Sequence, residues 1–475
     1  MTAKAKKKPV KNMGYTICFD FGSTYTKMAV LNLENAETVV TSRVPSTVKT
    51  DAVQGLKANL EIASKHIGEE AVRSAHMLAS SSAAGGLRMV VVGLTEKYSL
   101  LAGMNTALGA GARVVRSYDG ILDEKKLEEI RNAKPSILLL CGGTNEGNVD
   151  RLWRNAEMLA ERKMVNCPVV FAGNKKIAQE VRAKFLQSGI ECYLTENIFP
   201  ELDCLNAGPA QKVIHHIFMN RITGMRGMDA VKKYVGDIVM PTPAAVLRAG
   251  SLLAKGAGDE ETGIGSCMLF DVGGATTDVY SFSDYLPEGM KAVGAPEPFA
   301  KRSVEGDLGL RSSAKSLFEN ARTFILEGGS ESAKKVEEMC ARRTRQEAFL
   351  PDNEEEIALD QKLAEAAVYT SARRHCGRIE NAYGKDSVLI QSGKNLTNVR
   401  TLIGTGGPII FRKQPENVLR MALRKPEEKE LLLPEHADCF VDSKYLLFAA
   451  GLSAEENPGG AYQIAVNSLK RAGDG

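Results

Sequence analysis

The chain has 475 residues, of which 44% are apolar and 25% charged, and a formal net charge of +3. That is apolar content for roughly two to four domains with cores of their own, without disulfide or metal staples. Five of the lysines fall in the first 13 residues, so the rest of the chain is close to neutral, which argues against a broad nucleic-acid surface.

The N-terminal stretch MTAKAKKKPVKNM, residues 1–13, has no apolar core of a secretory signal and is expected to be a solvated, disordered arm. No apolar run approaches the ~18 residues of a membrane span. Gly14 to Leu33 reads as two strands joined by a glycine turn, and AETVVTSRVPST as a third strand. GLKANLEIASKHIGEEAVRSA has helical apolar spacing.

From Met89 the rhythm changes. MVVVGL, ARVVRSY, PSILLLC, CPVVFAG and IECYL read as strands. Between them lie EKYSLLAGMNTALGAG, LDEKKLEEIRNA, NVDRLWRNAEMLAERK and KIAQEVRAKFLQSG, each with a helical pattern. Such alternation predicts a parallel, doubly wound α/β domain over residues 87–198. Two helical stretches, GPAQKVIHHIFMNRI and TPAAVLRAGSLLAKGAG, lead to the linker DEETGIG. The strand SCMLFDVGG then opens a second half, with a long charged helical region at about 330–384. SVLIQSGKNLTN and TLIGTGGPII follow, each a strand running into a glycine turn.

The nine cysteines are odd in number, scattered and without a C-x-x-C pair. With no secretory signal, this predicts reduced thiols in a cytoplasmic protein, most of them small core fillers. The six histidines include one adjacent pair, His215 and His216, and neighbours in sequence diverge on a helix or strand. No transition-metal site is expected.

Three stretches bear on chemistry. In DFGSTYTK, Gly22 permits a turn, Ser23 and Thr24 offer donors to phosphate oxygens, and Lys27 supplies a point charge. Asp20 would hold Mg2+ through water. In DVGGATTD, Gly273, Gly274, Thr276 and Thr277 supply a similar cradle, and Asp271 would position Mg2+ or a water nucleophile. GTGGP carries Gly404, Gly406 and Gly407 without bulky side chains, so a flat adenine ring can lie on its backbone. Each stretch alone has the composition of an ordinary glycine hairpin. Neither a G-x-x-x-x-G-K-[ST] loop nor G-x-G-x-x-G is present.

In this order, the three stretches resemble the phosphate-1, phosphate-2 and adenosine motifs of the actin, heat-shock and sugar-kinase ATPases. Lys27 follows Asp20 by the seven positions found in some members. The resemblance implies an α/β fold of two actin-like (ribonuclease H-like) lobes with MgATP, later ADP, between them. The first lobe would comprise 14–86 and 199–262, the second 263–475, with 87–198 inserted. SSSAAGGLRMVVVGL, ALGAGARVV, LLLCGGTNEGN, VVFAGN, DVGGATTDVYS, SVEGDLGLR and IGTGGP together resemble the MutL/GlmL family. These are accessory proteins encoded with adenosylcobalamin-dependent glutamate mutase and related aminomutases. That resemblance implies a chaperone-like, Mg-dependent ATPase that releases inactive cobalamin from a partner aminomutase of the glutamate or ornithine/lysine type.

The strand and helix order of the insert resembles a cobalamin-binding domain. The stretch that would carry D-x-H-x-x-G, VVVGLTEKYSLLAG, has no histidine, so no histidine of this chain is expected to ligate cobalt. The insert either mimics the mutase's cobalamin domain or is an unrelated doubly wound module. SVEGDLGLR, with Glu305, Asp307 and Arg311, reads either as a nucleotide-sensing loop or as capping acids before a helix. A homodimer is compatible with the sequence, and neither nucleic acid nor membrane is an expected partner. Three other functions stay open: a small-molecule kinase of the same superfamily, an ATP-dependent dehydratase activator, and a filament or scaffold. The scattered cysteines count against the activator, which needs a cluster site.

Overall fold

The structure, a computed structural model, describes residues 14–22, 25–48, 51–82, 87–162, 166–222, 228–235, 240–258, 261–287, 289–327, 332–381 and 389–473. The first strands, β1 (Tyr15–Phe21) and β2 (Tyr25–Asn32), form an antiparallel hairpin whose residues are nearly all buried. Strand β3 (Glu37–Pro45) alternates exposed and half-buried positions, as an edge strand does. Helix Ala52–Ile67, capped by Asp51 and stopped at Gly68 (φ 85°), returns the chain to β4 (His76–Ser81), parallel to β1.

The chain then leaves this sheet for β5 (Leu87–Val92), β6 (Ala112–Tyr118), β7 (Ile137–Gly142), β8 (Val169–Gly173) and β9 (Cys192–Leu194). These pair in the order β6-β5-β7-β8-β9, every neighbour parallel. β5, β7 and β8 are near-continuous apolar runs because helices cover both faces. The helix read from Glu96 starts one turn later, at Leu101. Before it, Glu96–Leu100 is a π-turn in which the Thr95 and Ser99 hydroxyls take over backbone donors.

The chain rejoins the first sheet at β10 (Met240–Pro241), giving the order β10-β4-β1-β2-β3. A two-stranded ribbon follows, β11 (Gly256–Gly258) with β12 (Glu261–Thr262). The second half repeats the plan of the first. β13 (Cys267–Val272) and β14 (Thr277–Phe282) make a buried hairpin. Beyond β15 (Met290–Val293), β16 (Ala300–Glu305) is the third antiparallel strand. β15 pairs with β18 (Leu389–Ser392), itself paired with β17 (Arg378–Asn381). β19 (Thr401–Thr405) lies parallel to β13 and β20 (Asp438–Asp442) parallel to β19. With β21 (Leu469–Arg471) the order is β16-β14-β13-β19-β20-β21.

The charged region at about 330–384 is not one helix. Ala333–Arg345 and Glu354–His375 are separated around Pro351, and Asn353 caps the second by accepting from the Glu356 N–H.

The five-stranded parallel unit interrupts the first half in sequence but touches both halves in space. Met89, Val91 and Leu139 share a core with Ile17, Phe19 and Phe21. Helix Leu101–Gly109 also packs on β16 of the second half. Seven of the nine cysteines are buried, and burial pushes the thiols of Cys18, Cys141 and Cys267 up to about 12, so they act as core residues. Among the described residues, no helix is long and apolar enough to cross a membrane.

Candidate nucleotide site

The two glycine hairpins are built alike. In the first, Asp20 stands opposite Lys27 on β1 and β2, and the Gly22 N–H donates to the Tyr25 carbonyl at 3.0 Å. In the second, Asp271 stands opposite Asp278 on β13 and β14, and the Gly273 N–H donates to the Thr276 carbonyl at 2.9 Å. A Cβ on Gly22 would come within 2.8 Å of the Tyr25 oxygen, so the turn demands glycine. Ser23 and Thr24 lie outside the described residues.

Antiparallel pairing puts opposed residues on one face of a sheet, and the tertiary fold then turns these faces toward each other. Asp20 is buried and accepts from Lys27 Nζ at 3.3 Å and from Thr242 Oγ1 at 2.6 Å. Lys27 Nζ sits 3.5 Å from the centre of the Tyr445 ring. Burial works against the lysine's charge, but Tyr445, Asp20 and Asp271 outweigh it and hold the ammonium above its usual range. Asp271 belongs to the same electrostatic cluster. Burial and then repulsion from Asp278 push its carboxyl up to about 7, against the pull of Lys27. Asp20 and Asp442 add to that repulsion.

The GTGGP turn closes on this cluster. β19 runs parallel to β13, with Gly404 beside Phe270 and Thr405 beside Asp271. Gly406 has φ 87°, and a Cβ there would lie 2.2 Å from the Val272 oxygen and 2.8 Å from Asp271 Oδ1. Only glycine lets the two backbones meet. Gly404 is packed by Ile409 and Leu419, and Gly407 opens the turn of helix Gly407–Ile410. Thr405 Oγ1 donates to the buried Asp442 at 3.4 Å, whose carboxylate also accepts from the Leu446 and Leu447 N–H groups.

SVEGDLGLR braces the second hairpin from behind. The N–H groups of Leu310 and Arg311 donate to the carbonyls of Gly273 (3.1 Å) and Gly274 (2.7 Å), and Ser313 Oγ donates to that of Ala275 (2.8 Å). Thr277 Oγ1 donates to the Leu308 carbonyl at 2.7 Å. Thr276 Oγ1 donates to Asp278 at 3.1 Å. Arg311 forks onto the fully buried Asp360, which also accepts from Arg343 (2.8 Å) and Arg412 (3.0 Å). Burial alone would raise Asp360, but Arg311 and Arg343 overcome it and hold the carboxyl below its ordinary range. Glu305 and Asp307 pair with Arg374 at 2.7 and 2.9 Å, so neither acid is spent on capping the next helix.

Several residues of the cluster escaped sequence reasoning. Asp278 follows Asp271 by the seven positions that separate Lys27 from Asp20, a signal that was there to be used. Tyr445, Asp442 and Thr242 carry no local signature, because each arrives from a distant part of the chain.

A family model described as MutL protein matches residues 16–469. The protein MutL of Clostridium tetanomorphum is 41% identical over 452 residues, covering 94% of this chain and 97% of that protein. Among solved structures, xylulose kinase from Bifidobacterium adolescentis aligns at 10% identity and a TM-score of 0.32, covering 98% of this chain and 96% of the other. The ethanolamine utilization protein EutJ from Carboxydothermus hydrogenoformans aligns at 10% identity and 0.28, covering 96% and 92%. Likenesses this slight bear on nothing further.

Proposed function

The chain belongs to the MutL family, and from that premise we propose that it is a chaperone-like ATPase that reactivates an adenosylcobalamin-dependent aminomutase by driving out inactive cobalamin. One observation carries the ATPase half. Asp20, Lys27 and Asp271, from two hairpins of the same design, share one electrostatic cluster with the glycine-rich turn Gly404–Gly407 closed against it.

Among the described residues no group of three carboxylate, histidine or cysteine side chains could enclose a metal, so a divalent cation here would be one that keeps its waters, as Mg2+ does. Asp278, Asp20 and Asp442 raise Asp271 against the pull of Lys27, and bound Mg2+ would add positive charge beside it. Asp20 and Asp271 would hold it through water, and bound there it would neutralise phosphate charge. The chain's own residues do the rest. The glycine turns let backbone donors approach phosphate oxygens, and Lys27 adds a fixed positive charge. Asp271 orients a water and accepts its proton as the water oxygen bonds to the γ-phosphorus. The β–γ bridging P–O bond breaks, leaving ADP and phosphate.

The coupling half rests on the insert, whose contacts with both halves mean that closing the lobes must load it. At the carboxyl ends of β5 and β7, where a doubly wound sheet ordinarily receives a ligand, Leu94 packs against Gly142. There the Thr95–Ser99 turn is closed by its own hydroxyls. This counts against a cobalt ligand at that edge of the insert.

The test uses purified protein with a glutamate, ornithine or lysine aminomutase inactivated by hydroxocobalamin. Mutase activity should return on adding adenosylcobalamin only with MgATP and wild-type protein, and Asp271→Ala should lower ATP hydrolysis by about 100-fold or more. Hydrolysis without recovery of any of these mutases would remove the reactivation claim and leave the ATPase.

A further inference from the structure

Asp278 is tied to something other than the nucleotide cluster. Its Oδ1 accepts two bonds from the buried Arg302, from Nε at 2.9 Å and Nη2 at 2.5 Å. The third nitrogen of the same guanidinium leaves the second half altogether. Nη1 donates to the carbonyls of Leu108 at 3.1 Å and Ala112 at 2.9 Å. Leu108 lies in the last turn of helix Leu101–Gly109, and Ala112 begins β6. A fixed cation at a helix C-terminus answers its orphan carbonyls and its dipole. One rigid fork therefore grips a carboxylate of the glycine hairpin and the end of an insert helix at once.

The other oxygen of Asp278 faces the cradle, where it accepts from Thr276 Oγ1 at 3.1 Å. Thr276 is among the hydroxyls offered to phosphate. A hydroxyl has one proton to donate, so Thr276 can give it to Asp278 or to a phosphate oxygen, not to both. The seam around this link also has room to shift. A cavity of about 530 Å3 lies between the insert and the second half, lined by Leu101, Asn105, Leu108, Val114, Arg302 and Ser303 among others.

We propose that Arg302 is a positioning residue that transmits occupancy of the phosphate cradle to the inserted domain, through Thr276, Asp278 and the carbonyls of Leu108 and Ala112. The proposal rests on the nucleotide reading above and adds its route into the insert. Phosphate binding withdraws the Thr276 proton from Asp278, the carboxylate shifts its hold on Arg302, and the end of helix Leu101–Gly109 is gripped differently.

The experiment is hydrogen exchange on the full chain, following peptides from Leu101 to Tyr118, with MgATP affinity measured separately by calorimetry. In wild-type protein MgATP should change exchange in this segment. Arg302→Lys keeps the charge but loses the fork. It should bind MgATP within about threefold of wild type, while the change in the segment disappears. An unchanged segment in MgATP-bound wild type, or a change that survives in Arg302→Lys, overturns the proposal. A second arm needs no nucleotide. Asp278→Asn should speed exchange at Leu108–Ala112 about tenfold, the size set by losing one charge-assisted hydrogen bond. Exchange left as in wild type would overturn the link even if Arg302→Lys failed to fold. If calorimetry shows no MgATP binding while Asp278→Asn loosens the insert, the link stands and the ATPase reading is what fails.

Discussion

Lys27 governs the charge balance of the aspartate cluster. It faces Asp20, lies on the Tyr445 ring and pulls against the rise of Asp271. Lys27→Met leaves Asp20 buried without its partner, so we expect a loss of about 3 kcal/mol in urea unfolding, together with loss of ATP hydrolysis. Asp271 makes a pH prediction of opposite kind. Its folded pKa of about 7 lies above the ordinary 3.8. The folded state therefore keeps the proton longer than the unfolded state, and the penalty for ionising Asp271 grows as pH rises from about 4 to about 7. Asp271→Asn removes that penalty. Its melting temperature should exceed that of wild type by a margin that widens between about pH 5 and about pH 7 and is flat above. A constant margin across that range would refute the buried, mutually repelled carboxyl.

At the scale of elements, the glycine turns and the helix Glu354–His375 set the site. Gly406→Ala forces a Cβ into the Val272 carbonyl at a φ of 87°, so we expect about 2 kcal/mol of destabilisation and weaker nucleotide binding, read by thermal shift with and without MgATP. Asp360 lies within that helix and gathers arginines from SVEGDLGLR, from helix Ala333–Arg345 and from the segment after GTGGP. Asp360→Ala removes the carboxylate shared by Arg311, Arg343 and Arg412, of which Arg343 keeps Glu356 at 2.6 Å, and should cost about 3 kcal/mol in denaturant unfolding. Its own folded pKa is depressed below 3.8. The stability it contributes is therefore present above that value and disappears only as pH falls below it. The break at Pro351 and Asn353 sets off the second helix, whose Asp360 meets Arg311 and Arg412.

At the scale of the whole molecule, two halves share one strand plan, and a parallel α/β unit interrupts the first while resting on both. A ligand that binds only the folded cleft stabilises by mass action. MgATP at about 100 times its dissociation constant should add about 2.7 kcal/mol, seen as a higher melting temperature that Asp271→Ala abolishes.

Much of this organisation was legible in the sequence because it is written in local periodicity. Alternating apolar runs and amphipathic segments marked the parallel unit, and an aspartate before a glycine turn marked each hairpin. The turn chemistry of Gly22 and Gly273 is local as well, each N–H bonding within its own hairpin, whereas Gly406 must be glycine because Val272 comes against it. The site's electrostatics were not legible. Asp271 is raised by Asp278 across a hairpin, by Asp20 from the other half and by Asp442 from near the C-terminus. Tyr445 reaches Lys27 from more than 400 positions away. Arg302 ties β16 to an insert helix that sequence placed with the opposite half. The sequence by itself determined which segments become strands, helices and glycine turns, because backbone geometry and apolar period act over a few residues. Only the tertiary structure decided which charges share a buried cluster and that the insert rests on both halves, because Coulomb forces and packing depend on distance in space and not along the chain.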